Sequence, residues 1–175
     1  MSTLNVDNIS EYTSGNGVEI PGHILQVKTQ FFDTQTSISS TTSFTDTGLT
    51  LAITPSATSS KILCCFYVTA SAQDNSYVAF KMFRDSTEIG SSTQTGTGLE
   101  CFTGSTFDDT GNTSYGVHTI PMVFLDSPST TSATTYKVQW SGENSDTFYL
   151  NRNASSSYGG NEGMVSTLTL MEVAA

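Results

Sequence analysis

Apolar and polar positions alternate with a period of two along most of this chain, which is the pattern of β-strands. The clearest strand runs over residues 61–70, and a second one over 77–84 follows a polar turn. In the first strand, apolar side chains occupy both faces: Ile62, Cys64, Phe66 and Val68 on one, Leu63, Cys65 and Tyr67 on the other. A strand that is apolar on both faces is covered on both sides, which predicts a position inside a sandwich.

The same alternation predicts strands at 23–32, 48–53, 99–102, 117–126, 135–141, 147–151 and 164–173, with a brief strand at Ile89. Pro121 indicates a bulge or an edge position. The Ser/Thr-rich segment 33–47 fits a long edge strand, an ordered loop or low-complexity disorder. About ten evenly spaced strands predict an all-β fold, a two-sheet antiparallel jelly-roll sandwich.

Residues 1–22 form a separate unit, an N-terminal arm, and residues 23–175 form the head domain. The arm contains two short apolar patterns about a Gly-Asn-Gly turn, made by Leu4, Val6, Ile9, Val18 and Ile20. Two such strands cannot form a core of their own. The arm is therefore expected to pair with copies of itself or to dock on another protein, with a frayed terminus as the alternative.

Composition supports the β assignment, because Ser and Thr make up about a third of the chain and charged residues only 13%. The net charge is −10, and the six basic residues are scattered. Without a basic stripe, binding to nucleic acid is not expected. We expect no membrane insertion, since no apolar run approaches the ~20 residues of a membrane span.

The three cysteines fit buried free thiols. Cys64 and Cys65 are adjacent on one strand and point to opposite faces, whereas Cys101 could meet either. Free thiols suggest folding in a reducing compartment, and residues 1–20 lack the features of a signal peptide.

Several stretches together resemble small virion proteins of tailed, especially marine, bacteriophages, called tail fibre or virion structural proteins. They are MSTLNVDNI, GVEIPGHILQV, TGLTLAITPSATSSKILCCFYV, FRDSTEIG, FLDSPSTTSATTYKVQW and STLTLMEV. The resemblance covers nearly the whole chain. It implies a trimeric jelly-roll head similar to complement-type and tumour-necrosis-factor-like proteins, with an arm that attaches to the virion. It implies a virion component assembled in the host cytoplasm, on the tail or on the head.

A trimer also has support from the residues themselves. The strand at 61–70 and the nearby Phe66, Tyr67, Phe80 and Phe83 give more apolar surface than one sandwich interior needs. An exposed apolar patch of that size marks an association site. The alternative is that loops cover it.

No catalytic constellation is visible, so we expect a protein that is not an enzyme and has no cofactor. His23 and His118 are the only histidines and suit structural positions, and apolar strands should keep all three thiols inert. Zinc ligation fails on count and spacing. Segment 108–112 has oxygen ligands for calcium but lacks the loop pattern, and no metal site is expected.

Loop aromatics are the better candidates for contact with a host surface glycan or protein. Phe107, Tyr115 and Tyr158 lie in Gly/Ser/Asn loops beside Asp108 and Asp109. Aromatic faces with Asn and Asp side chains suit sugar rings or receptor surfaces. The alternative is that these rings pack under their own loops. A capsid decoration protein, a free carbohydrate-binding module and a small hydrolase remain as other functions.

Overall fold

The computed structural model describes residues 22–72, 76–93, 98–107, 116–154 and 162–175, without the side chains of 40–42 and 144–146. These ranges contain strands and no helix. The strands are β1 (Ile24–Phe32), β2 (Thr36–Ile53), β3 (Lys61–Ala72), β4 (Ser76–Arg84), β5 (Thr87–Ile89), β6 (Thr103–Phe107), β7 (Val117–Asp126), β8 (Thr134–Leu150) and β9 (Ser166–Val173).

The strands form two antiparallel layers, which confirms the all-β sandwich. The first layer has the order β1-β9-β3-β7. The second has the order β2-β8-β4, with β5 and β6 both pairing with β4. From β1 to β4 and from β7 to β9, consecutive strands alternate between the layers, which is jelly-roll connectivity. The last residues of β8 pair with the end of β3 and join the layers at one corner.

The core lies between the layers and follows from strand alternation. Every second residue of β3 points inward, and Ile62, Cys64, Phe66 and Val68 are fully buried. Tyr136, Val138 and Trp140 of β8 meet them from the second layer. The predicted place of β3 inside the sheet is confirmed, since β9 and β7 flank it. Its outward face, however, is not fully covered by the described residues, since Tyr67 is 45% exposed.

Of the three alternatives for the Ser/Thr-rich stretch 33–47, the structure shows the long strand, since β2 begins at Thr36. β2 continues through this stretch into the predicted strand at 48–53, pairing with β8 at both of its ends. Thr47 lies inward and donates from Oγ1 to the Val138 carbonyl oxygen at 2.9 Å. Within the described residues β2 pairs with β8 alone, so it is an edge strand.

Two other local predictions are wrong. The predicted strand at 99–102 is not a strand, and the adjacent strand is β6, Thr103–Phe107, because β4 offers a free edge there. The predicted turn at 142–146 is part of β8, which pairs with β4 up to Glu143 and with β3 from Phe148. Gly142 allows this passage, since the Phe148 ring occupies the space a Cβ would need.

The sandwich has two ends. At the terminal end, the Gly22 N–H donates to the Ala174 carbonyl oxygen and the Ala174 N–H to the His23 carbonyl oxygen, both at 2.8 Å. Segments 54–60 and 127–133 lie at this end too, by the strand register. At the opposite end, the loop end, β1, β3, β6 and β8 finish.

Candidate association surface

The outward side of the first layer presents mostly apolar side chains that cross-strand pairing brings together. The register aligns four strands in three rows. We call the twelve residues of these rows the apolar face: Leu125, Leu63, Met171, Val27; Val123, Cys65, Thr169, Thr29; Pro121, Tyr67, Thr167, Phe31. None of the twelve is charged.

Exposure is concentrated on this layer. Phe31 is 60% exposed, Val27 55% and Val123 52%. The seven large apolar side chains that are exposed among the described residues all belong to the first layer or its margin: Ile24, Val27, Phe31, Tyr67, Val123, Leu125 and Val165. An apolar patch of this kind is a candidate interaction site.

Two pairs of threonine hydroxyls on and beside the apolar face are hydrogen-bonded to each other. Thr29 and Thr169 share a hydrogen bond between their hydroxyl oxygens at 3.2 Å. At the margin, Thr69 and Thr119 share another at 3.1 Å, and the Thr69 hydroxyl also lies 2.8 Å from the Val165 carbonyl oxygen. Burying an unpaired hydroxyl is costly, whereas a paired one loses little. Removing this surface from water would therefore leave these threonine hydroxyls with hydrogen-bond partners.

The outward side of the second layer has the opposite character. Lys81 pairs with Glu88 and Lys137 pairs with Asp46, each at 2.9 Å. The Lys81 ammonium lies 4.7 Å above the Phe44 ring centre. This side is charged, internally paired and suited to water, so the two outward sides of the sandwich are not equivalent.

The loop end is where the sequence predicted host contacts. Phe107 does not fit that prediction, because it lies in β6 with its side chain inward and only 2% exposed. Its ring stacks on His118 with 4.8 Å between centres. Asp108, Asp109, Tyr115 and Tyr158 lie outside the described residues. Their flanking residues, 107 and 116 on one side and 154 and 162 on the other, adjoin strand ends at the loop end.

The predicted arm residues Leu4, Val6, Ile9, Val18 and Ile20 also lie outside the described residues. Gly22, where the described chain begins, is hydrogen-bonded beside the C-terminus at the terminal end. The chain therefore enters the sandwich at the end opposite to the predicted contact loops.

The thiols show no arrangement for nucleophilic chemistry. Burial raises the pKa of both the Cys64 and the Cys65 thiol. Cys101 lies outside the strands, contrary to the prediction, and its sulfur is 3.6 Å from the Tyr77 hydroxyl. No disulfide joins the three cysteines.

A Ser–His contact was missed by the sequence reasoning. His118 Nδ1 lies 2.6 Å from Ser105 Oγ, and the two residues belong to different layers. The second contact of the imidazole is the Phe107 ring, so neither contact supplies the carboxylate of a catalytic triad. His118 closes the side of the sandwich between β6 and β7. No spacing in the sequence signals this, because the pairing is made by the packed layers.

The described ranges show no cluster of metal-binding side chains. They contain no group of three or more His, Cys, Asp or Glu side chains that could hold a metal ion. Nor do they contain a helix of the length and apolarity needed to cross a membrane.

A buried carboxylate at the terminal end was also not foreseen. Glu172 is fully buried between the layers. It accepts hydrogen bonds from the Ser56 N–H and hydroxyl at 2.6 Å and from Gln26 Nε2 at 2.5 Å. Burial acts to raise the pKa of Glu172, but the hydrogen bonds from Ser56, Gln26 and Ser60 outweigh it and lower the pKa below 4.5. This carboxylate ties β1 and the 54–60 segment to β9.

We predict that Glu172→Gln lowers the free energy of unfolding by about 1–3 kcal/mol at pH 7, because an amide NH₂ faces other donors. A folded-state pKa below the unfolded value contributes stability above about pH 4.5, and that contribution is lost as pH falls through the folded pKa. Urea titrations of both proteins should therefore converge in acid. Glu88→Gln, on the charged side, is the control. A deficit that does not change with pH would contradict this role.

Comparison with known proteins gives little. No family model and no curated protein matches the chain. Among solved structures, it is similar to a mutant VP2 protein of infectious bursal disease virus in derived T=1 particles, with 11% identity and a TM-score of 0.34. It is also similar to infectious bursal disease virus of the Gx strain, with 12% identity and a TM-score of 0.30. Each match covers 87% of this chain and 37% of the other. Likenesses this weak carry no functional argument.

Proposed function

We propose that this chain is a non-enzymatic structural protein of a bacteriophage virion. Residues from about 23 to 175 form the head of a homotrimeric tail fibre or spike, and residues 1–22 hold it to the particle. The free end of the head contacts a host surface glycan or protein. The sequence resemblance to virion proteins of tailed phages is the starting point of this proposal.

The observation that carries the proposal is that the two ends of the sandwich differ. The chain enters at the terminal end, where Gly22 and His23 bond with Ala174. The segments that contain the predicted contact residues connect strands at the loop end. A chain entry at one end and Gly/Ser/Asn-containing connecting segments at the other suit a head that is anchored at its base and free at its tip.

The apolar face supports the oligomeric part of the proposal. Contact between copies would remove this surface from water, which favours an oligomer over a small monomeric hydrolase. The ring faces of Phe44 and Phe83 on the other side lie under Lys81 and Lys137, so they do not form an open platform for sugars. A structural protein that works as an oligomer accounts for both sides.

We predict a solution mass of three times 18.7 kDa for the full chain and an unchanged trimer for a chain beginning at Gly22. Light scattering after size exclusion measures this. The shortened chain should fail to bind particles that lack the protein, because its attachment segment is gone. A monomer in both cases would overturn the fibre proposal in favour of a binding module. A trimer only with the arm would make the arm the oligomerisation device.

Location on the particle is tested by labelled antibody on intact virions. Label on the tail is the expected result. Label on the head would instead make the protein a capsid decoration protein with the same fold.

A further inference from the structure

Arg152 is held in a fixed position where β8 ends, at the loop end of the sandwich. Asn151, with a positive φ of 58°, turns the chain directly after β8. The Arg152 carbonyl oxygen then accepts a hydrogen bond from the Ser71 hydroxyl at 2.6 Å, and its backbone forms a bridge with Gly163. After this turn the guanidinium lies over the Tyr149 ring, with 4.4 Å between the guanidinium carbon and the ring centre. Backbone and ring together fix where this charge is presented.

The guanidinium of Arg152 keeps most of its hydrogen-bonding capacity. Arginine has five N–H donors in a planar fork. The Nε–H donates to the Asn153 carbonyl oxygen at 3.3 Å, and no described carboxylate pairs with Arg152. Glu162, next to the bridging Gly163, accepts from Asn153 Nδ2 at 3.2 Å instead. The edge formed by the two Nη atoms is therefore left for a bidentate acceptor, and carboxylate and phosphate are the groups that match its geometry.

The other basic side chains differ from Arg152, although the chain has 16 acidic residues against 6 basic ones. Three of the basic side chains each pair with a carboxylate at 2.8 or 2.9 Å: Lys81, Arg84 and Lys137. Two more are exposed and lie over no ring of the described residues: Lys28 and Lys61. Within the described part of the chain, Arg152 alone combines partial burial and an aromatic support with the lack of a carboxylate partner.

We infer that Arg152, supported by Tyr149, is a binding site for the acid group, carboxylate or phosphate, of a sugar on the host surface. The inference rests on the proposed function and adds the chemical class of the glycan that the loop end contacts. The Nη edge donates two parallel hydrogen bonds to the acid group, while the Tyr149 ring supports the guanidinium from one side. A neutral sugar offers no anion to this edge.

Net charge narrows the ligand to a glycan whose acid groups are few and well separated. The chain has a net charge of −10, so it repels a dense polyanion. At physiological ionic strength, exposed charges act over only about 8 Å, so a single acid group at this site is attracted mainly by the guanidinium beside it. Partial burial of Arg152 strengthens that attraction, because it lowers the effective dielectric constant. A sugar acid flanked by neutral sugars therefore fits this surface better than a polyanion does.

Titrations of the full chain with three small probes test the inference. Glucuronate supplies a carboxylate, inorganic phosphate supplies a phosphate, and glucose is the neutral control. Ligand-observed nuclear magnetic resonance measures each dissociation constant. We expect at least one acidic probe to bind about tenfold or more tightly than glucose, since hydrogen bonds between charged groups are stronger than those between neutral groups.

Arg152→Gln is the decisive variant, and Lys28→Gln is the matched control. Both remove one positive charge, but Lys28 lies exposed on β1. We expect Arg152→Gln to weaken binding of the acidic probe by about 10- to 100-fold and Lys28→Gln to leave it unchanged. Urea unfolding verifies that each variant is folded. If Arg152→Gln does not fold, Arg152→Lys takes its place, because lysine keeps the charge but loses the fork and should weaken binding several-fold.

The outcomes separate the inference from the proposed function. An acidic probe that binds the parent chain and Lys28→Gln, but not Arg152→Gln, supports the inference, and the probe that binds identifies the acid group. No binding of either acidic probe, equal binding of glucose, or full binding by the Arg152 variant overturns it.

Adsorption to host cells is measured with the same proteins. If the parent chain and the Arg152 variant adsorb equally, the inference falls and the proposed function stands. If the parent chain does not adsorb but binds an acidic probe through Arg152, host contact falls and the anion site stands.

Discussion

Asn151→Asp is expected to be the most destabilising conservative substitution in this protein. Asn151 is fully buried at the loop end and has a positive φ of 58°. Its Nδ2 donates to the carbonyl oxygens of Phe32 and Thr34, each at 3.0 Å. Its Oδ1 accepts a hydrogen bond from the Ser166 hydroxyl at 2.6 Å. One side chain thus joins the β1–β2 turn to β9.

The main chain of Asn151 adds further links. Its N–H donates to the Thr69 carbonyl oxygen at 3.0 Å, and its carbonyl oxygen accepts from the Met164 N–H at 2.8 Å. Asparagine is one of the few residues that adopt the left-handed conformation at low cost. The position therefore requires both the backbone freedom of asparagine and the two donors of its amide.

An aspartate at this position places a buried carboxylate oxygen against two carbonyl oxygens. Two hydrogen bonds become repulsive contacts, and we expect a loss of about 3–5 kcal/mol at pH 7 in urea or thermal unfolding. The pKa of the new carboxyl should rise above its unfolded value, because the neutral form can still donate once. The deficit should therefore be smallest in acid and grow as pH rises through that folded-state pKa.

Asn151→Gly separates the contributions of backbone and side chain. Glycine keeps the positive φ at no steric cost but removes the amide, so its deficit should be smaller than that of aspartate and independent of pH. Equal, pH-independent losses for both variants would show that the amide donors do not matter.

Asp126→Ala is expected to have the second largest effect. Asp126 is 5% exposed at the terminal end and receives Arg84 Nη1 on both carboxylate oxygens, each at 2.8 Å. The Tyr136 hydroxyl donates to Oδ2 at 2.7 Å. Burial and the Asp126 hydrogen bond both raise the pKa of Tyr136, which keeps this hydroxyl a donor.

Removing the carboxylate leaves a partly buried guanidinium without its anion and a fully buried hydroxyl without its acceptor. We expect a loss of about 3–4 kcal/mol, since breaking one partner of a buried pair costs more than an exposed pair contributes. Tyr136→Phe removes one hydrogen bond to a charged group and should cost about 1.5–3 kcal/mol. Both are measured by equilibrium unfolding in urea.

Asp46→Asn is the matched control on the surface. The Asp46 side chain, which pairs with Lys137, is 54% exposed, so the loss in free energy of unfolding should stay below about 1 kcal/mol. A double-mutant cycle over Asp126 and Arg84 isolates their coupling. Equal losses for Asp126→Ala and Asp46→Asn would mean that the Asp126 network does not contribute to holding the terminal end together.

Alternation of apolar residues was enough to predict the fold class and the strands at 23–32, 61–70, 77–84, 117–126 and 164–173. Strand alternation is local, so it is readable in sequence wherever one face is buried. Pro121 correctly placed β7 at an edge, because proline cannot donate to a second neighbour. The predicted association surface rested on Phe66, Tyr67, Phe80 and Phe83, but Phe66 and Phe80 lie in the core, and of the four Tyr67 is the one exposed on the outward face of β3. Its use in association remains a prediction.

The failures have a common cause in pairing between distant segments. Segment 142–146 has turn-forming residues, yet β4 and β3 hold the two parts of β8 extended. Phe107 lies in a Gly/Ser/Asp-rich stretch, yet pairing of β6 with β4 turns its ring into the core. Local propensity lost to tertiary context in both places.

The sequence by itself therefore determined the positions of most strands and the all-β sandwich class, because both follow from apolar residues that alternate with a period of two. It also determined that β3 has apolar side chains on both of its faces. Only the folded chain decided which of those side chains share one uncharged face and which polar groups meet inside. Glu172 with Ser56, Asp126 with Arg84 and Asn151 with Phe32 are each brought together by strand register across long stretches of sequence. Such contacts have no local signature, because packing of the two layers creates them.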